Sequence, residues 1–61
     1  MKHLPIGHHP GYSRAKGWAE YRAWRFPGVR FTASVGTARL SYWVQDDQLH
    51  RRTWYVQKED K

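Results

Sequence analysis

Val29-Arg30-Phe31-Thr32-Ala33-Ser34-Val35 and Ala38-Arg39-Leu40-Ser41-Tyr42-Trp43-Val44 flank the dipeptide Gly36-Thr37, and both arms alternate apolar with polar residues. Period-two alternation around a short break containing glycine is the pattern of a β-hairpin, and Gly36 supplies the positive φ that a type II′ turn needs at its first central position. The register follows. Val35 faces Ala38, Ala33 faces Leu40, Phe31 faces Tyr42 and Val29 faces Val44, which gathers eight apolar residues on one face. Arg30, Thr32, Ser34, Arg39, Ser41 and Trp43 fall on the other. A slip of one residue would mix the two sets, so the pattern specifies its own pairing.

After the hairpin, Gln45-Asp46-Asp47-Gln48 reads as a polar turn and Leu49 to Gln57 as a further strand, on the strength of Thr53, Trp54, Tyr55 and Val56. Two registers are open. With Leu49 opposite Val44, His50, Arg52, Trp54 and Val56 join the basic face, and Arg51, Thr53 and Tyr55 join the apolar one. A bulge would reverse this, burying Trp54 and Val56 and turning Arg51 outward.

Before the hairpin, Ser13 to Phe26 is ambiguous. A helix would take Ser13 as its cap, use Ala15, Ala19, Glu20, Arg22 and Ala23 as good formers and stop at Pro27-Gly28. Gly17 weakens that reading, and Trp18, Tyr21, Trp24 and Phe26 do not form one helical stripe. Strand is favoured, because it would set Trp24 and Phe26 beside Phe31 and Val29. Pro27-Gly28 suits the centre of a type II turn, although such turns match hairpin twist poorly. Residues 1–12, with two of the three prolines and three of the four histidines, read as an irregular arm. Residues 58–61 read as a frayed charged tail.

The expected fold is therefore mainly β, a three- to four-stranded antiparallel meander around hairpin 29–44 in a single small domain, with small α+β as the alternative. At 61 residues without a cysteine, neither disulfide nor thiolate metal site is available, and four Trp, four Tyr and two Phe must supply the core area. No apolar run approaches a membrane span, and the amino terminus lacks the apolar core of a secretion signal. A soluble protein of the cytoplasm of a bacterial cell or host is expected, without membrane association.

Enzymatic machinery is hard to assemble. No glycine-rich phosphate loop or nucleophile elbow is present, and Asp46-Asp47 sits where a turn wants aspartate. His3, His8 and His9 lack the rigid frame and carboxylate companions of a metal site. No catalytic residue, metal or cofactor is assigned.

Charge gives the positive lead. Eleven Lys and Arg against five Asp and Glu leave a formal +6, which favours polyanionic partners, and the predominance of arginine favours planar contacts with phosphate, carboxylate or bases. The candidate binding residues are Arg30, Arg39, Arg51 and Arg52 for phosphate, with Trp43 and Trp54 as stacking or anchoring groups. Alternatively, the two tryptophans lie under the N-terminal segment, with arginine stems packed across them. The expected function is a small non-enzymatic regulatory module binding DNA or RNA through this face. The competing one is an accessory protein of the phage or mobile-element type that docks on the acidic surface of a larger host protein and inhibits or modulates it. An exposed sheet edge, at the last strand or at Val29, would also admit strand addition or a homodimer.

Overall fold

The computed structural model describes residues 1–56. The element order is β1 (Lys2–His8), α1 (Tyr12–Arg25), β2 (Val29–Val35), β3 (Ala38–Gln45) and β4 (Gln48–Tyr55). The strands form one sheet in the order β1-β2-β3-β4. β2, β3 and β4 are an antiparallel meander, and β1 adds to β2 in parallel. No helix among the described residues is long and apolar enough to cross a membrane.

The central hairpin has the register its alternation specifies: Phe31 pairs with Tyr42, Ala33 with Leu40 and Val35 with Ala38. Gly36 takes φ +56°, and Thr37 has no positive φ, as a type II′ turn requires. β4 adopts the simpler register, with Val44 opposite Leu49, Trp43 opposite His50 and Arg39 opposite Trp54. Its turn is tighter than the four-residue loop expected. Gln45 pairs with Gln48, and Asp46 and Asp47 both hold positive φ, at 54° and 61°. That is the backbone of a type I′ turn, whose twist matches the strands it joins.

Two expectations are corrected. Residues 13–26, favoured as a strand, lie in α1 and its C-terminal cap. Ala15, Ala19 and Ala23 recur at helical spacing and are fully buried, in one cluster with Phe31, Ala33, Leu40, Tyr42 and Val44. Methyl-sized side chains let the helix backbone lie close on the sheet, so the large aromatic residues of α1 are left outside. The cap is the backbone of Gly11, whose carbonyl accepts from the Ala15 N–H, and Ser13 lies within the first turn. Pro27-Gly28 does form a hydrogen-bonded turn, with the Val29 N–H donating to the Phe26 carbonyl and Gly28 at φ +87°. It links helix to strand, so its poor match to hairpin twist costs nothing.

The second correction concerns the irregular arm. Lys2 to His8 is a strand whose residues align from Lys2 opposite Val29 to Pro5 opposite Thr32, then shift so that His8 meets Ser34. Gly7 absorbs the shift at φ +105°. Proline is compatible with an edge strand, where a missing N–H breaks no internal ladder. A parallel partner for β2 requires a crossover, which α1 provides. β1 therefore covers the β2 edge at Val29 that was expected to be free, and β4 is the other edge of the sheet. The charged tail at 58–61 lies outside the described residues.

Candidate nucleic-acid interface

Helix α1 packs across β2 and β3 on the apolar face. Among the described residues, no element covers the opposite face. Trp43 and Trp54 are therefore not buried beneath the N-terminal segment, which instead extends the sheet and crosses behind it.

Strand pairing lays the open face out in three rows running across the strands. The first holds His3, Arg30, Trp43 and His50, the second Pro5, Thr32, Ser41 and Arg52, and the third His8, Ser34, Arg39 and Trp54. In the first row the Arg30 guanidinium lies over the Trp43 indole, 4.1 Å from the ring centre. His50 stacks on the same indole at 5.5 Å, with the planes 15° apart. β2 and β4 flank β3 on opposite sides, so the indole is held between the two. In the second row the Thr32 and Ser41 hydroxyls share a hydrogen bond of 2.8 Å, and Ser41 is fully buried. In the third, Arg39 donates to the Gly36 and Ala38 carbonyls at 2.9 and 3.1 Å, which orients its side chain toward the hairpin turn. Arg52 reaches toward Trp54, 5.6 Å from its ring centre.

Among the described residues, charge on this face has one sign. The acidic side chains among the described residues are Glu20 on the helix, paired with Lys16 at 3.1 Å, and Asp46 and Asp47 in the β3–β4 turn. Arg30, Arg39 and Arg52 thus stand on the sheet without a carboxylate among them, a distribution that raises the local concentration of anions.

Five of the six residues singled out from sequence, Arg30, Arg39, Trp43, Arg52 and Trp54, share this face. Arg51 does not. It is opposite Tyr42 and lies on the helix side of β4, because neighbours in a strand point to opposite faces. His50 belongs to the stack and was absent from the expected set of binding residues, although its pairing with Trp43 follows from the same register.

A second surface was not foreseen. On the outward side of α1, Trp18, Tyr21 and Trp24 are 47, 55 and 52% exposed. Trp18 and Tyr21 meet edge to face at 6.1 Å, Arg22 lies 5.7 Å from the Trp18 ring centre, and Gly17 leaves an open depression walled by Ser13, Arg14, Trp18 and Tyr21. The alanine spacing was the signal that could have revealed it, since a helix resting on alanines must turn its other residues outward. Comparison with protein-family models, with curated proteins and with solved structures finds no match to this chain.

Proposed function

We propose that the open sheet face binds nucleic acid, and that the protein is a small, basic, non-enzymatic regulatory module. The supporting observation is the joint placement of Arg30, Arg39 and Arg52 with Trp43, Trp54 and His50 on one face that, among the described residues, is uncovered and holds no carboxylate. Guanidinium groups neutralise phosphates and release their counterions, and aromatic rings on a pleated surface add stacking. Stacking on Trp43 also holds the Arg30 group in place before a ligand arrives, which reduces the ordering that binding must impose.

The outward aromatic face of α1 favours a second reading, an accessory protein that docks on a larger host protein and modulates it. Half-exposed tryptophan and tyrosine beside arginine are the residue types that anchor protein interfaces. A capture experiment from lysate, with and without nuclease, separates the two. DNA or RNA recovered with the wild-type chain and lost from an Arg30→Ala/Arg52→Ala variant supports the first reading. A nuclease-resistant stoichiometric protein lost from a Trp18→Ala/Tyr21→Ala variant, with no nucleic acid recovered, supports the second and contradicts the first.

A further inference from the structure

Strand β4 is the outer strand of the meander, and among the described residues nothing pairs with its far side. Its backbone groups alternate in direction. The ladder with β3 runs from Gln45–Gln48 to Ala38–Tyr55 without a shift, and just beyond it the Val56 N–H donates to the Thr37 carbonyl. The N–H and C=O groups of the even-numbered residues therefore point to β3, and those of Leu49, Arg51, Thr53 and Tyr55 point away from the sheet. They form a row of donors and acceptors open to another strand.

The other edge of the sheet is broken. β1 carries Pro5, which has no N–H to offer, and its register shifts before His8 with Gly7 at positive φ. β4 holds neither proline nor glycine, and its ladder has no bulge. The end of β4 is also bare, with Tyr55 73% and Val56 44% exposed. A chain with one usable edge makes a closed pair about a two-fold axis, because pairing consumes the edge of both copies.

We propose that β4 is a dimer interface, in which two copies of this chain pair their β4 strands antiparallel about a two-fold axis through Thr53. Charge selects this register. An axis through Arg51 or Arg52 would set that arginine directly opposite itself, which is destabilising. An axis through His50 or Trp54 leaves only two facing pairs of outward-pointing residues among the described ones. With the axis at Thr53 there are three, Arg51 with Tyr55, Thr53 with Thr53 and Tyr55 with Arg51, and each pair exchanges two hydrogen bonds. On the open face, Arg52 of each copy falls opposite Trp54 of the other, and His50 opposite Val56. Both arginines of β4 then meet an aromatic ring, and no cation opposes another.

Residues opposite one another in such a pair share a face, so the two helices lie on one side of the joined sheet. Two four-stranded sheets become one, and their open faces form a single surface with Arg52 and Trp54 of both copies at its middle. Dimerisation does not depend on what that surface binds.

The test is sedimentation velocity on the nuclease-treated full chain at about 0.15 M salt, where charge repulsion between copies is screened. One strand edge is a small interface, so the wild type should be dimeric at about 100 μM and dissociate toward about 1 μM. Thr53→Glu and Thr53→Lys each set like charges on the axis and should weaken the dimer by at least about tenfold. Their equimolar mixture should dimerise again, because position 53 of one copy faces position 53 of the other. Trp18→Ala/Tyr21→Ala removes exposed aromatic groups from α1 and should leave the dimer intact. A wild type that stays monomeric across this range overturns the proposal. So does a dimer that survives Thr53→Lys, a mixture that stays monomeric, or a dimer lost in Trp18→Ala/Tyr21→Ala.

Discussion

The Arg30 guanidinium carbon lies 4.1 Å from the centre of the Trp43 ring, and His50, on the strand at the other side of β3, stacks on the same ring at 5.5 Å. One tryptophan on the middle strand of the meander thereby fixes a cation on one neighbour and an imidazole on the other. Removing it should cost both stability and binding. Trp43 is only half-buried, so Trp43→Ala is expected to cost about 2 kcal/mol, roughly half the penalty of emptying a fully buried aromatic site. Chemical denaturation measures this, and a loss below about 0.5 kcal/mol would mean that the stack contributes little.

The contact between helix and sheet makes a contrasting prediction. Ala19 is fully buried at the centre of the alanine stripe, and Phe31 beneath the helix is 5% exposed. Ala19→Leu should destabilise by about 1 to 3 kcal/mol, because the added carbons have no space without lifting α1. Phe31→Ala should cost about 3 to 5 kcal/mol by opening a cavity, enough to unfold much of a domain this small. Thermal melts of the two variants decide it, and a neutral Ala19→Leu would show that the helix is not seated on its alanines.

These two elements mark how far the sequence alone could lead. The hairpin was legible because strict alternation allows one pairing, which placed Arg30, Arg39 and Trp43 on a common face; β4 was legible as a strand with two registers open, of which the simpler, the one adopted, adds Arg52 and Trp54. The helix was obscured because apolar bulk is a misleading guide when the buried stripe is alanine and the aromatic residues face solvent. β1 was obscured by Pro5 and Gly7, which oppose a strand in isolation but are tolerated at a sheet edge with a bulge. Arg51 was grouped with Arg52 by charge, although adjacent strand residues cannot share a face.

Two positions carry a local cost that substitution should relieve. Gly17 lies within α1, and a methyl group there would meet no neighbouring atom of the described residues within 4 Å. Gly17→Ala should therefore stabilise by up to about 1 kcal/mol through helix propensity. Asp47 holds φ +61°, so Asp47→Gly should stabilise the β3–β4 turn by about 0.5 to 1 kcal/mol. Denaturant midpoints check both. If the depression at Gly17 receives a partner side chain, Gly17→Ala would gain stability and lose that partner.

Tyr42 is almost fully buried, and its hydroxyl has no hydrogen-bond partner among the described residues. Burial, reinforced by Tyr12 and Glu20, raises the pKa of its phenol above the usual tyrosine value. The folded state therefore keeps this proton at pH values where the unfolded chain releases it. The resulting contribution to stability is intact below the ordinary tyrosine pKa of about 10 and is lost as pH rises above it. Tyr42→Phe should match or exceed wild-type stability at neutral pH, by up to about 1 kcal/mol, since an unpaired buried hydroxyl is a cost. It should also move alkaline unfolding to higher pH. A pH series of denaturation curves tests both effects, and a large loss of stability at neutral pH would reveal a role for the hydroxyl.

The central claim, that one face of the sheet grips phosphates, is tested most directly by the salt dependence of binding to a single-stranded oligonucleotide. The logarithm of the affinity should fall linearly with the logarithm of salt concentration, and Arg30→Ala and Arg52→Ala should each reduce the slope by about one. Arg51→Ala makes the same change in charge on the opposite face and should leave the slope nearly unchanged. Binding that ignores salt, or a slope reduced as much by Arg51→Ala as by Arg52→Ala, would contradict the claim.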